Sequence, residues 1–219
     1  MLLFVNEDLK MDTDDIDYLN AQPDGRTVIR TKRLEIRELV RKNASALLTI
    51  LSENPGQGSV FDNTVPVNDI LSDDCPAQLL GAIIAGDITD QYRFFGYGLW
   101  GVFCDNKLIG ISMLKNGSDS GIAEIGYAIL QEYQRQGYMT EAMLAVLEFA
   151  RDQGFSSVEM RTGRSNSASV SFFNRLKELY CAELKKKQHS DPEKSEKECC
   201  LMHTGSDQTA DVDSFSFTL

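Results

Sequence analysis

Residues Ala123–Gly154 read AEIGYAILQEYQRQGYMTEAMLAVLEFARDQG. Ile122 to Leu130 reads as a strand, and Tyr138 to Gln153 as a helix that Gly154 stops. Between the two, Gly137 permits a backbone turn directly before the helix. Several N–H groups between Arg135 and Thr140 then point outward at a helix N-terminus, where the dipole favours negative charge, and Arg135 adds a cation beside them. This is a candidate anion site. It is not a Walker loop, because no Gly-Lys-Ser/Thr follows, and it lacks the G-x-G-x-x-G spacing of dinucleotide folds. Taken alone, a glycine before a helix reads as an ordinary strand-to-helix turn.

Working downstream, Ser157–Thr162 reads as a strand and Ser167 to about Lys177 as a helix, with Asn166 as its N-cap. Lys185–Glu198 is a solvated loop or an exposed helix extension, and Cys199–His203 and Phe215–Leu219 are candidate closing strands. Upstream, Tyr97–Cys104 and Leu108–Lys115 flank Asp105-Asn106-Lys107 as a hairpin, followed by a turn at Asn116-Gly117. Val28–Leu39 alternates as one core strand. Residues 43–52 form an amphipathic helix capped by Asn43, residues 53–75 a long loop, and Pro76–Ala85 a second helix. Strands therefore come first, followed by strand, helix, strand, helix. Residues 1–27 form an acidic arm, Asp- and Glu-rich with only Lys10 and Arg26 in opposition. It reads as a solvated appendage or as a lid or partner-binding arm.

Composition narrows the classes. With 219 residues, 42% hydrophobic and 25% charged, the chain fits one globular domain with added segments. Its 22 Lys and Arg against 33 Asp and Glu leave a net charge of −11, which argues against nucleic acid as a partner and favours cationic or amine-bearing ones. The five cysteines show no metal-ligand spacing, so reduced thiols and no metal are expected. No apolar run approaches the roughly 20 residues that span a bilayer, and Met1–Val5 is too short for a signal core; a soluble, cytoplasmic protein without a membrane partner is expected. Oligomeric state is open.

Gln134-Arg135-Gln136-Gly137-Tyr138-Met139 resembles the pyrophosphate loop of GNAT acetyltransferases, Q/R-x-x-G-x-G/A, and Thr140-Glu141-Ala142 is similar to its common continuation. Glu124-Ile125-Gly126-Tyr127 resembles the strand that holds the acetyl and pantetheine groups. Asn166-Ser167-Ala168-Ser169 resembles the family's N-x-x-S helix, and Thr31–Leu39 the opening strand of its ribosomal-protein N-terminal acetyltransferase branch. The resemblance covers residues 28–179, is strongest over 122–176, and is unclear over 180–219. It implies an α+β (mixed α/β) fold: a mostly antiparallel, twisted sheet splayed around an acetyl-CoA site and flanked by helices, with residues 28–219 as the domain. Three positions depart from the pattern. Met139 replaces the preferred Gly or Ala, Phe173 stands where many members place a tyrosine acid, and Leu176-Lys177-Glu178 replaces Leu-Gly-Phe.

The implied activity is transfer of an acetyl group from acetyl-CoA to a primary amine, a protein N-terminus or a small molecule, by direct attack in a ternary complex. A noncatalytic acyl-CoA-binding module and a protein-interaction domain are the alternatives. Because most amines are protonated at neutral pH, a base is required. Glu124 shares a strand face with the small Gly126 and Ala128 and is the candidate, with a salt-bridged strand glutamate as the plain alternative. The resemblance gives the backbone from Ile125 to Tyr127 the oxyanion, and Gln134, Arg135, Gln136, Gly137, Tyr138, Met139 and Thr140 the pyrophosphate. Asn166 falls near the pantetheine amides or simply caps its helix. Ser169 is a candidate for contact with the departing thiolate, and Tyr127 or Tyr138 for replacing the missing acid.

Overall fold

The computed structural model describes residues 17–19, 28–54, 98–116, 121–163, 165–190, 201–207 and 212–219. The expected loop at 53–75 beyond Asn54, the helix at 76–85, the turn at Gly117 and most of the acidic arm lie outside them. Among the described residues, nine strands form one sheet in the order β1-β2-β3-β4-β5-β6-β7-β9-β8. These are β1 (Asp17–Leu19), β2 (Val28–Arg30), β3 (Glu35–Glu38), β4 (Gly98–Cys104), β5 (Lys107–Asn116), β6 (Ile122–Ile129), β7 (Ser157–Gly163), β8 (Leu201–Asp207) and β9 (Val212–Thr218). The helices are α1 (Ala44–Glu53), α2 (Tyr138–Asp152) and α3 (Ser167–Ser190). Every described strand pair is antiparallel except β6 with β7, which are joined by the α2 crossover.

Two cores lie on opposite faces of this sheet. On one, Leu47, Ile50 and Leu51 of α1 pack on Leu99, Phe103, Ile111, Met113 and Ala128. On the other, α2 and the Phe173, Leu176 and Tyr180 stripe of α3 pack on Ile36, Trp100, Ile109, Ile125 and Val158. Period 2 sorts the strand residues between the two cores, so Ala123, Ile125 and Ile129 join α2 while Ala128 joins α1. Fully burying each of the larger side chains, such as Ile125 or Leu47, contributes about 1.5–3 kcal/mol. Among the described residues no helix is long and apolar enough to cross a membrane.

Several expectations need correction. Val28–Leu39 is two strands rather than one, because the chain reverses at Thr31–Leu34; Thr31 N–H donates to Leu34 O at 2.9 Å, and Leu34 N–H to Thr31 Oγ1 at 3.1 Å. The hairpin turn is the two residues Asp105 and Asn106, whose φ values of 49° and 64° suit a type I′ turn, so Lys107 belongs to β5 and pairs with Cys104. Asn43 precedes α1 without capping it, its Oδ1 accepting instead from Val40 N–H at 3.0 Å. The last helix runs to Ser190, well past Lys177, and takes the helix-extension alternative. Cys104 is a free thiol, but Cys181 is disulfide-bonded, against the expectation of reduced cysteines. Within the arm, Asp17–Leu19 pairs with β2 as one of the two edge strands of the described sheet.

Candidate functional site

The parallel ladder between β6 and β7 is short. It joins Ile122–Glu124 to Ser157–Glu159 and stops. Beyond it β6 continues against β5 alone and β7 against β9, so the two strands part from Ile125 and Met160 onward. A cleft of about 320 Å³ opens near the end of β6, bounded by the start of α2 and the start of α3.

One wall is the loop that the sequence singled out. After a 3₁₀ turn at Gln131–Tyr133, Arg135 takes φ 60° and Gly137 φ 78°, both left-handed, and α2 starts at Tyr138. Glycine tolerates that region freely, whereas each other L-residue there is strained by roughly 1–2 kcal/mol. Gly137 carries no side chain to cap the helix, so the first N–H groups of α2 have no cap at the N-cap position. Gln134, Arg135, Gly137, Tyr138, Met139 and Thr140 all line the cleft. Gln136 does not. Its side chain donates to Glu132 O at 2.7 Å, and its carbonyl accepts from Arg33 Nη1 at 3.2 Å. Met139 is buried beneath the loop, its methyl against β5 near Gly110, and so leaves the backbone cradle clear.

The opposite wall comes from α3. Asn166 Oδ1 accepts from Ser169 N–H at 3.1 Å, which is an N-cap; the residue also lines the cleft, so the two expectations coincide. Ser169 and Phe172 line it as well. Phe173 instead turns into the core, 1% exposed, with its ring centroid 5.2 Å from that of Phe217 and 6.4 Å from that of Phe215. A tyrosine there would not reach the cleft. The cleft-facing residue of that helical turn is Phe172, which the expectation based on Phe173 missed.

From β6 comes Tyr127, its ring 4.4 Å from that of Phe172. Its hydroxyl is buried and has no hydrogen-bond partner in the described structure. Burial pushes the phenol up to about 12; the adjacent Ser169 hydroxyl pulls the other way without completing a hydrogen bond. Tyr127 is therefore a neutral O–H donor at physiological pH. The phenol of Tyr138 is also raised, first by the neighbouring Cys104 and then by burial.

Glu124 lies elsewhere. The pleat puts it with Gly126 and Ala128 on the α1 face, opposite Tyr127 and Ile129, and it does not line the cleft. It is buried, 5% exposed, at the last rung of the β6–β7 ladder, paired with the equally buried Glu159. The Ile125 side chain is in the α2 core, so that any role toward a ligand is left to its main chain. Asn54, Tyr133 and Ile129 line the cleft without having been anticipated. Asn54 closes α1, and its Nδ2 donates to Ile50 O at 2.7 Å and to Ile129 O at 3.2 Å, tying the α1 face to the cleft rim. No local sequence signal marks that contact, which spans 75 residues.

The acetyltransferase (GNAT) domain family matches residues 33–177. No curated protein is matched significantly by sequence. Among solved structures, the chain is similar to a GNAT-family acetyltransferase from Bacillus anthracis, with 13% identity, 88% of this chain and 97% of that one covered, and a TM-score of 0.57. It is also similar to a RimL ribosomal alpha-N-protein acetyltransferase in complex with coenzyme A, with 17% identity, 88% and 97% covered, and a TM-score of 0.56. A third similar structure is the microcin C7 self-immunity acetyltransferase in complex with acetyl-CoA and AMP, with 11% identity, 86% and 93% covered, and a TM-score of 0.55. At such identities these structures speak to the shared fold, and the family match supplies the rest: the chain belongs to the GNAT family of acetyl-CoA-dependent acetyltransferases.

Proposed function

We propose that this chain transfers the acetyl group of acetyl-CoA to a primary amine, of a protein N-terminus or a small molecule, by direct attack in a ternary complex. Residues 28–219 act as the transferase unit, with 1–27 as an arm. The observation that carries the reading is the cleft itself, which joins an uncapped helix N-terminus at Gly137 to a neutral phenol and a hydroxyl where β6 and β7 part. The pyrophosphate takes the N–H groups of the Gln134–Thr140 loop with Arg135 beside it, and the pantetheine arm follows Asn166 and the freed edge of β6.

The amine arrives from the α1 face and loses its proton to Glu124, through water. Its nitrogen then bonds to the thioester carbon, main-chain N–H groups around Ile125–Tyr127 hold the carbonyl oxygen, and the carbon–sulfur bond breaks. The thiolate that leaves takes the Tyr127 proton by way of Ser169, and the second proton shed by the acylated nitrogen restores the phenol through water, so the products are an amide and the free thiol. A net charge of −11 tolerates a cationic acceptor.

Calorimetric titration of acetyl-CoA into the parent chain and into Gly137→Glu tests the cofactor half without a known acceptor. The parent is expected to bind and the folded variant to lose binding, because a carboxylate replaces the anion's seat. A folded Gly137→Glu that binds like the parent refutes the placement. Once an acceptor is in hand, Glu124→Gln should bind acetyl-CoA normally and turn over slowly; undiminished turnover removes Glu124 as the base.

A further inference from the structure

Glu141 is an odd residue to find where it is. It stands in the first turn of α2 and is only 2% exposed. A carboxylate there helps the helix through the macrodipole, but it draws on the same positive end that the anion site needs. Its charge is met from far along the chain. Arg33, on the reversal between β2 and β3, donates from Nε to Glu141 Oε2 at 2.6 Å and from its backbone N–H to Oε1 at 2.9 Å, while Thr31 Oγ1 donates to the same Oε1 at 2.6 Å. The guanidinium also donates from Nη1 to Gln136 O, the carbonyl just before Gly137, at 3.2 Å, and sits 4.3 Å over the Tyr138 ring. One side chain thus touches the loop, the first helical residue and the buried carboxylate.

We propose that Arg33 is a positioning residue for cofactor binding, cancelling the Glu141 charge and holding the Gln136–Tyr138 backbone so that the α2 N-terminus stays electropositive toward the pyrophosphate. This rests on the reading that the pyrophosphate binds at that loop. Without Arg33, the buried carboxylate stands uncompensated behind the anion site and repels it. With both charges removed, the dipole is free again. A merely structural bridge predicts a different pattern, in which the two single losses and the double loss track stability alone.

Coenzyme A is titrated calorimetrically, at one ionic strength, into the parent chain, Arg33→Met, Glu141→Gln, the double variant and Gly137→Glu, each first established as folded by circular dichroism. Arg33→Met is expected to weaken binding by about tenfold or more, equivalent to about 1.4 kcal/mol. The double variant recovers most of that loss, and Glu141→Gln binds at least as tightly as the parent; the last result decides the matter should Arg33→Met not fold. The proposal is overturned by a folded Arg33→Met that binds like the parent, by a double variant as weak as Arg33→Met, or by a Glu141→Gln that is itself about tenfold weaker. Gly137→Glu separates the two levels. If it alone loses binding, only the role of Arg33 falls; if it binds like the parent, the pyrophosphate placement falls and the role of Arg33 with it.

Discussion

Gly110 on β5 lies against Met139 at the start of α2, and replacing it with alanine should show how closely the sheet and α2 are fitted there. An ideal Cβ at Gly110 falls 2.7 Å from Ala128 O, 3.1 Å from Met139 Cε and 3.4 Å from Ile129 Cα. The methionine end can swing aside. The Ala128 carbonyl cannot, because β6 is held in register against β5 by Gly110↔Ile129 and Ile111↔Ala128. Reaching an ordinary contact requires the strands to open by roughly half an ångström or more, a distortion of the overpacking kind that costs about 1–3 kcal/mol. Reduced freedom of the unfolded chain offsets about 0.4–1 kcal/mol. A net loss of about 1.5 kcal/mol lowers the Tm of a chain this long by roughly 3–6 °C. Trp100, the one tryptophan of the chain and 1% exposed, reports unfolding by fluorescence. Coenzyme A binding should weaken in parallel, because Met139 is pushed at the start of α2. A Tm equal to or above the parent's refutes the reasoning, and full rescue by adding Met139→Ala shows that the carbonyl is not the obstacle.

Two further outcomes separate packing from chemistry. Tyr127→Phe removes a buried hydroxyl that has no hydrogen-bond partner, so thermal stability near pH 7 should hold while kcat falls and the KM for acetyl-CoA changes little; an unchanged kcat eliminates Tyr127 as the acid. The same variant tests the raised phenol. Below about pH 10 the folded and unfolded chains are both protonated there, and between about 10 and 12 the unfolded chain loses its proton first, so the parent loses about 2–3 kcal/mol across that window that Tyr127→Phe keeps. Equal alkaline losses in denaturant titrations contradict the shift. Phe173→Tyr should not raise turnover, and by placing a hydroxyl among Phe215 and Phe217 it should cost about 1–3 kcal/mol of stability; increased turnover would mean that this side chain reaches the cleft.

Much of the cleft lining was legible because it is local in sequence. The strand through Glu124–Tyr127, the glycine before α2 and the Asn166 cap are each written within a few residues, where periodicity and backbone conformation dictate the outcome. That is why nearly all of the Gln134–Thr140 loop was found and then lay on one cleft. Errors arose where a residue's role depends on its partner. Helical phase over one residue decides whether Phe172 or Phe173 enters the cleft, and that phase is set by docking α3 on β9. The face of β6 carrying Glu124 was readable from period 2, but not which face bounds the cleft.

The sequence by itself determined the order of strands and helices from β4 to α3, the left-handed turn at Gly137 and membership of the acetyltransferase fold, since short-range sterics and hydrophobic periodicity act within a dozen residues. Only the tertiary structure decided that β6 and β7 part after Glu124 and Glu159, that Asn54 reaches the Ile129 carbonyl, and that Arg33 neutralises Glu141 across 108 residues. Those contacts join segments whose sequences carry no record of one another. They exist because both cores must pack against one sheet at once, and it is that packing which selects register, facing and partner.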